Sequence, residues 1–327
     1  MKAITYYRYG PPDVLGIEEI EAPQPNPDEV LIRVQAAEVT KSDCEMRSFR
    51  YAVKWFWLPL RLYLGLRAPR RPVLGGYFAG EIVAVGRDVN EFAPGDPILG
   101  SAGLRLGAHA EYMTLPASYT LVAKPPSMDF ETAAAMSLGG LNALHFLRSM
   151  KVKAGDRVLI NGAGGSIGAW AIQIAKAMGA EVTAVDKPAK EQALRGFGAD
   201  HFIDYTRTSF VANGETYDAI FDMVPNSSYS GCMQRLAPGG HYCTGNPTLF
   251  RMLRCGLTNL FTSRTATFSF AGETREELQT LVTLFETGQI RSIVDTVYPM
   301  DKVVEAHQRV ENEERSGAIV ISFNRSG

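Results

Sequence analysis

The chain has 327 residues, a formal net charge of −2 and 46% hydrophobic residues, so it is too long for one ordinary core and we expect two domains. The longest apolar stretch, 55–66, falls short of the roughly 20 residues of a bilayer span, and no Lys/Arg block favours nucleic acid or an anionic membrane. With no signal segment at its start, we expect a cytoplasmic protein without nucleic-acid or membrane partners.

The first part of the chain, 1–122, carries the pattern of short β-strands. Alternating or β-branched segments at 29–34, 79–86 and 110–115 are bounded by Gly, Pro and Asp, which is the signature of strands between turns. This pattern predicts a partly open β-barrel.

After Lys124-Pro125-Pro126 the pattern changes to helices and then to alternating strands and helices. Helix formers predict one helix from about 129 and a second, 142–150, after a break at Gly139-Gly140. Strands are predicted at 157–161, 181–186, 201–204, 219–222, 241–244 and 265–270. Strands that alternate with helices predict a parallel sheet covered on both faces, which is a doubly wound domain. We assign it to 123–270.

The remaining segment contains two further helix–strand pairs. Helices are predicted at 275–286 and 301–311, and strands at 292–298 and 317–323. We expect this segment to return to the first domain, so that 1–122 and 271–327 form the barrel domain around an inserted 123–270.

A glycine-rich turn lies between the first strand and the first helix of the alternating series. Small residues there let backbone amides approach a pyrophosphate at a helix N-terminus. Against the pattern G-x-G-x-x-G, Ala163 takes the first place and Gly165 and Gly168 the others. The predicted pyrophosphate-binding residues are Gly162, Ala163, Gly164, Gly165, Ser166, Ile167 and Gly168.

The acid at the end of the next strand indicates where the ribose lies. Asp186 follows Gly168 by 18 residues, near the spacing expected for a ribose ligand. Its carboxylate suits the 2′-hydroxyl of NAD. Lys187, Lys190 and Tyr205 are candidates for contact with the 2′-phosphate of NADP. The choice between NAD and NADP stays open at this point.

Several segments in this order resemble medium-chain dehydrogenase/reductases, and most closely their zinc-free quinone oxidoreductase (zeta-crystallin-like) branch. They are Val30–Val34, Leu74–Gly86, Gly95-Asp96, Asn161–Lys176, Gly198–Tyr205 and Arg315–Val320. The resemblance covers nearly the whole chain. It implies a GroES-like barrel as catalytic domain, a Rossmann nucleotide-binding domain, and a homodimer joined through the edges of the nucleotide-domain sheets.

Zinc-dependent relatives carry a Cys and a Gly-His-Glu where this chain has Thr40 and Gly76-Tyr77. Thr and Gly offer neither the thiolate nor the imidazole that a catalytic zinc needs. The cysteine-rich zinc lobe is also missing from the sequence. We therefore expect no zinc.

The resemblance also indicates residues around the reaction centre. Lys41 lies where zinc-dependent relatives hold a basic residue against the cofactor pyrophosphate, and Asn142 lies where relatives have Thr near the nicotinamide. An exposed loop lysine is the alternative for Lys41. Thr40 is a candidate partner of a substrate carbonyl or, alternatively, a turn-forming hydroxyl. Tyr77 and His109 are candidate proton donors if they face the cleft, with packing as the alternative and solvent as another proton source.

These observations predict an NAD(P)H-dependent oxidoreductase that transfers hydride to a quinone, an enone or another α,β-unsaturated carbonyl without a metal. The alternatives are an alcohol/aldehyde dehydrogenase of the same superfamily and a non-catalytic nucleotide-binding protein, since a fold does not determine function. The aromatic segment 51–60 is either an apolar lid over a flat substrate, a barrel-capping loop or an oligomer contact.

Overall fold

The structure is a computed structural model that describes residues 1–51, 57–268 and 273–324. The strands are β1 (Lys2–Thr5), β2 (Gly16–Glu19), β3 (Glu29–Val39), β4 (Tyr77–Val85), β5 (Pro97–Ser101), β6 (Tyr112–Pro116), β7 (Thr120–Ala123), β8 (Arg157–Asn161), β9 (Glu181–Asp186), β10 (His201–Asp204), β11 (Tyr217–Asp222), β12 (Leu236–Thr244), β13 (Thr265–Phe268), β14 (Val294–Pro299) and β15 (Ala318–Ser322). The helices are α1 (Lys41–Ser48), α2 (Trp57–Leu64), α3 (Phe130–Ser149), α4 (Ser166–Ala177), α5 (Glu191–Gly196), α6 (Tyr229–Arg235), α7 (Leu249–Phe261), α8 (Arg275–Glu286) and α9 (Val303–Glu311).

The barrel-like sheet combines strands from both ends of the chain. Its order is β14-β15-β3-β4-β5-β7, and β6 pairs with the first half of β3. Val30, Ile32 and Val34 alternate along β3 and are buried in one core, as a strand with one apolar face requires. β3 therefore joins the N-terminal strands to the C-terminal pair.

The second sheet is parallel throughout, in the order β10-β9-β8-β11-β12-β13. Counted along the chain, this is the order 3-2-1-4-5-6 of a Rossmann sheet. β8 and β9 are neighbours, so the glycine turn after Asn161 and the carboxylate of Asp186 emerge at the same edge. Ligands of such sheets bind at this carboxyl edge, where the strand order reverses.

A single helix, α3, runs through the predicted break at Gly139-Gly140, so the prediction of two helices is wrong. A Cβ on Gly139 would lie 2.5 Å from Trp170 of α4, and one on Gly140 would lie 2.9 Å from Leu281 of α8. The two glycines therefore allow close helix packing and do not end the helix.

Two other segments differ from the prediction. α7 was not predicted, although Leu249, Leu253, Leu257 and Leu260 recur at helical spacing; this apolar side of the helix points to solvent. The segment Pro238-Gly239-Gly240, whose residue types are typical of a turn, lies within β12, where the register with β11 shifts. Half of the aromatic segment 51–60, namely 52–56, lies outside the described residues, as do 269 and 270 of the last predicted strand. Within the described ranges, no helix has the length and apolar character to cross a membrane.

Candidate active site

A cavity of about 750 Å³ lies between the barrel-like sheet and the carboxyl edge of the Rossmann sheet. Most of the predicted site residues line it: Thr40, Lys41, Asn142, Gly162, Gly165, Ser166, Ile167, Gly168, Asp186, Lys187, Lys190 and Tyr205. Its size lies within the range of small-molecule and cofactor sites. The fold thus brings the glycine turn, the acid of β9 and the start of α1 to one space.

The glycines of the turn have three different steric functions. Gly162 has φ = +86°, a conformation that favours glycine. A Cβ on Gly168 would lie 2.6 Å from Ala163 Cα and from the Gly162 carbonyl oxygen, so this glycine allows α4 to pack on the turn. A Cβ on Gly165 would meet no atom closer than 3.9 Å. Gly165 therefore leaves room on the cavity wall for a group that approaches the backbone.

Ser166 is the first residue of α4 and lies beside this open space. Its hydroxyl is buried and makes no hydrogen bond of normal geometry within the described ranges, although it lies close enough to Glu38 to lower the pKa of that acid. The first N–H groups of a helix also lack intrahelical partners and attract anions. This hydroxyl, the helix N–H groups and a glycine without close neighbours together fit a pyrophosphate.

The carboxylate of Asp186 already has hydrogen-bond and ion-pair partners within the protein, which the sequence did not indicate. Its Oδ2 accepts a hydrogen bond from the Gly164 N–H at 2.7 Å, and its Oδ1 accepts one from the Lys187 N–H at 2.8 Å. Lys190 Nζ lies 3.3 Å from the same carboxylate, and both side chains are buried. Asp186 therefore holds the glycine turn through Gly164, which is itself absent from the cavity lining, as is the buried Ala163.

Three basic side chains surround a carboxylate on another part of the cavity. Lys41 donates a hydrogen bond to Glu313, and both residues line the cavity with Arg315. Burial raises the pKa of Glu313, but Lys41, Arg315 and Lys190 outweigh it and hold this pKa below its usual range. Lys41 is paired with Glu313 and Lys190 with Asp186, so Arg315 is the basic group in excess at this part of the cavity.

Arg315 is a site residue that the sequence reasoning did not identify. Gly317 donates a hydrogen bond to the Gly164 carbonyl at 3.1 Å, and Gly165 and Gly317 form a β-bridge. This contact places the buried guanidinium of Arg315 beside the glycine turn. A lone Arg before the last strand carries no local signal for this position, because the turn lies some 150 residues earlier in the chain.

Glu38 is the second residue that was missed. It is buried at the cavity wall, two residues before Thr40, and its Oε2 has no partner in the part of the chain that the structure describes. Burial raises the pKa of Glu38 to about 8, although Ser166 and Arg315 act in the opposite direction. An acid inside an apolar strand is unusual, which was the available signal.

Thr40 caps α1 and lines the cavity. Its hydroxyl donates to Asp43 Oδ2 at 2.5 Å and accepts from the Asp43 N–H at 3.0 Å. Asp43 Oδ1 accepts from the Gly75 N–H at 3.0 Å. Because its proton is committed to Asp43, the Thr40 hydroxyl reaches a substrate carbonyl only by breaking this cap. Asn142 donates to the Leu138 carbonyl within α3 and faces the same cavity.

Tyr77 and His109 are not among the residues that line the cavity. The Tyr77 hydroxyl donates to Glu273 at 2.8 Å, and burial, together with Glu273, raises the pKa of Tyr77 well above its usual value. His109 is fully buried, with Nε2 3.3 Å from the Glu38 carbonyl. Neither placement supports direct contact with a substrate in the cavity.

Within the described ranges, no group of three or more His, Cys, Asp or Glu side chains is arranged to hold a metal ion. Thr40, which caps α1, and Gly76, which packs against the Gly103 carbonyl, occupy positions where zinc-dependent relatives carry metal ligands.

Known proteins resemble the chain along almost its entire length. Residues 26–126 match the family described as alcohol dehydrogenase GroES-like domain, and 197–321 match zinc-binding dehydrogenase. A quinone oxidoreductase of Pseudomonas aeruginosa is 30% identical, with 98% of this chain and 99% of the relative covered. The chain belongs to the quinone oxidoreductase family of the medium-chain dehydrogenase/reductases. The expected resemblance and fold class are thereby confirmed.

Two further comparisons show how widely this family extends. Human quinone oxidoreductase is 29% identical to the chain over 95% of its length and 94% of the relative. The solved structure of the quinone oxidoreductase from Coxiella burnetii superposes with a TM-score of 0.87 at 27% identity and covers 99% of both chains. The barrel-like sheet and the Rossmann sheet are thus the shared architecture of the family.

Proposed function

We propose that the protein is an NAD(P)H-dependent reductase of quinones, enones or related α,β-unsaturated carbonyls, and that it works without a metal. The observation that carries this proposal is the cavity itself. One wall is an anion-binding glycine turn, and the opposite wall is formed by the barrel residues around Thr40. A dinucleotide on the first wall would direct its reactive end toward a small molecule near the second.

The residues of the cavity fit a reduced dinucleotide without rearrangement of the turn. The space at Gly165 and the Ser166 hydroxyl suit the pyrophosphate, and Lys41 and Arg315 supply positive charge near it. When bound, the nicotinamide supplies a hydride. The protein then contributes the orientation of the two reactants, for which a cavity between two domains is suited.

We further propose that the ribose end accepts a 2′-phosphate, so that NADPH is bound in preference to NADH. Asp186 is already compensated by Lys190 and by two backbone N–H groups. Lys187 and Tyr205 line the same end of the cavity. Two lysines against one aspartate leave a net positive charge there, which favours a phosphate.

This preference is tested by measuring the dissociation constants of both cofactors for Lys187→Gln and Lys190→Gln, with Lys190→Arg as control. Loss of a charge-assisted hydrogen bond weakens NADPH binding about 10- to 100-fold, while NADH binding changes little. Equal losses for the two cofactors would contradict a 2′-phosphate site.

For the proton, we propose that solvent is the source, because Tyr77 and His109 are not among the residues of the cavity lining. The enolate or hydroquinone anion that hydride transfer produces then takes one proton from water that enters the cleft. This assignment keeps the barrel side chains in a positioning role.

The central experiment is steady-state oxidation of NADPH and NADH with a panel of quinones, enones and aldehydes, with metal analysis of the same sample. We expect turnover with quinones or enones and no stoichiometric zinc. Stoichiometric zinc with alcohol oxidation would favour the alcohol dehydrogenase alternative. Cofactor binding without turnover on any substrate would favour a non-catalytic nucleotide-binding protein.

We also propose that two copies join through the β13 edge. Among the described strands, β13 pairs only with β12, which leaves its outer edge open. Phe250, Leu253 and Leu260 of the adjacent α7 are 68%, 61% and 76% exposed, and apolar patches of this kind mark interfaces. Leu253→Glu with Leu260→Glu should convert a dimer to monomers in sedimentation analysis. A wild-type monomer would refute this interface.

The cytoplasmic location stays a prediction.

A further inference from the structure

A second exposed apolar surface lies on the barrel domain, on α2. Leu60 and Leu64 face inward and join a buried cluster. Leu58, Leu62 and the following Leu66 face outward at 57%, 50% and 57% exposure; we call these three the outer leucine face. Leu58 and Leu62 are four residues apart and share one face of α2, and Leu66 follows two residues after the helix ends. Leucines therefore occupy both the buried and the solvent side of α2.

The chain around this face is strongly basic. Residues 46–80 contain seven Lys or Arg and no Asp or Glu, in a protein whose net charge is −2. Arg67, Arg70 and Arg71 directly follow the outer leucine face and are exposed. Arg71 donates to the Leu104 carbonyl at 3.0 Å. Arg67 and Arg70 have no ion-pair partner among the residues that the structure describes.

Aromatic and arginine contacts hold α2 firmly on the barrel. The Arg61 guanidinium lies 4.1 Å from the ring centres of both Tyr9 and Phe49 and donates to the Leu66 carbonyl at 2.8 Å. The rings of Phe49 and Trp57 meet edge to face at 5.9 Å. Inward contacts thus account for Arg61 and Leu64, but they leave the outer leucine face and its following arginines without a function.

We propose that the outer leucine face with Arg67 and Arg70 docks on the surface of an anionic lipid bilayer. Leucines and interfacial aromatics enter the boundary between headgroups and acyl chains, and adjacent arginines contact anionic headgroups. Trp57 and Tyr63 flank the leucines and are half exposed, as residues at a membrane interface are.

This inference revises the expectation of no membrane partner. That expectation was based on the shortness of the apolar stretch 55–66, and a segment that lies on a bilayer does not need the length of one that crosses it. The basic residues of 46–80 form no compact Lys/Arg block, but they make this segment positively charged because it contains no Asp or Glu.

A second copy of the chain is a poorer match for this surface. Two identical patches that face each other would bring Arg67 and Arg70 of both copies together, and like charges at an interface are unfavourable. The α7 surface differs, because Arg251 lies 3.5 Å from the buried Asp222, and Arg254 donates to Ser230 and stacks on Tyr229.

The test is flotation of the full-length protein with vesicles of phosphatidylcholine alone and with about 30% phosphatidylglycerol, at low and high salt. We expect binding only to the anionic vesicles, weakened by salt. Arg67→Glu with Arg70→Glu should lower the partition coefficient at least about tenfold, since each basic residue contributes about 1 kcal/mol at such a surface. The exposed pair Arg87→Glu with Arg207→Glu is the matched control and should bind like wild type, apart from a small uniform decrease.

A second variant tests the apolar part. Leu58→Glu with Leu62→Glu should abolish vesicle binding, whereas Ile17→Glu, at another exposed apolar position, should not. Circular dichroism verifies that each variant is folded. No binding by wild type, or equal losses in the patch and control variants, would overturn the proposal. A change of oligomeric state in the leucine variant with unchanged vesicle binding would also overturn it, in favour of a second copy. These assays measure no turnover, so their outcome is independent of the proposed reaction.

Discussion

Replacing Gly165 with alanine adds a single methyl group to the cavity wall and separates binding from folding. The new Cβ would lie 3.9 Å from its nearest neighbours, Arg315 Nη2 and the Gly162 carbonyl oxygen, so the protein itself accommodates it. Gly165 has φ = −81° and ψ = 170°, which alanine also adopts. We expect the free energy of unfolding to change by no more than about 1 kcal/mol, mainly from the poorer helix cap.

Cofactor binding should respond much more strongly. Phosphate oxygens approach backbone N–H groups to about 2.9 Å, and a methyl carbon requires about 3.5 Å. Two charge-assisted hydrogen bonds are then weakened or lost, at about 1.5–3 kcal/mol each. The dissociation constant of NADPH should rise at least about 100-fold.

The assay is a fluorescence titration with NADPH beside urea unfolding of the same samples. Gly16→Ala is the matched control, because its Cβ meets nothing within 4 Å and lies outside the cavity lining. Gly168→Ala should instead lose stability, since its Cβ would lie 2.6 Å from backbone atoms of Gly162 and Ala163. A folded Gly165→Ala protein that binds NADPH as tightly as wild type would refute the pyrophosphate site.

Three other predictions concern the buried acid Glu38, the hydroxyl of Tyr77 and the helix contact at Gly139. Burial raises the pKa of Glu38 from 4.5 to about 8, so the folded state holds a proton that the unfolded state has released. Relative to Glu38→Gln, wild type should therefore lose about 3–5 kcal/mol of stability as the pH rises from about 5 to 8; a pH-independent difference in urea unfolding would contradict this. Tyr77→Phe should keep kcat within about threefold, because its hydroxyl serves Glu273, whereas a loss of 100-fold or more would identify a proton donor. Gly139→Ala should lower the free energy of unfolding by about 1–3 kcal/mol, because the added Cβ would clash with Trp170. An unchanged midpoint of urea unfolding would show that α3 and α4 are not tightly packed at Gly139.

Local pattern was sufficient for the Rossmann half of the fold. The strands at 157–161, 181–186 and 201–204 were predicted with the bounds that the structure has. A buried parallel strand is a short apolar run, and its glycine turn and terminal acid are encoded within a few residues of it. The same local information placed Asp186 beside the glycine turn, because neighbouring parallel strands end at one edge of the sheet.

Long-range contacts determined what these residues do. From the sequence, Gly139 could end a helix or allow two helices to pack closely. The position of Trp170 shows that it allows close packing. Asp186 was predicted to bind the ribose of the cofactor, but in the structure it accepts a hydrogen bond from the Gly164 N–H and forms an ion pair with Lys190.

The sequence by itself determined the strand–turn–helix unit and the acid after the next strand, since each depends on residues close together in the chain. The tertiary structure decided that Arg315 and Glu38 belong to the cavity, that Tyr77 and His109 stand outside its lining, and that α7 and the outer leucine face point to solvent. The physical reason is that burial, charge compensation and exposure depend on contacts between segments that are distant in the chain, and a local sequence pattern does not specify those contacts.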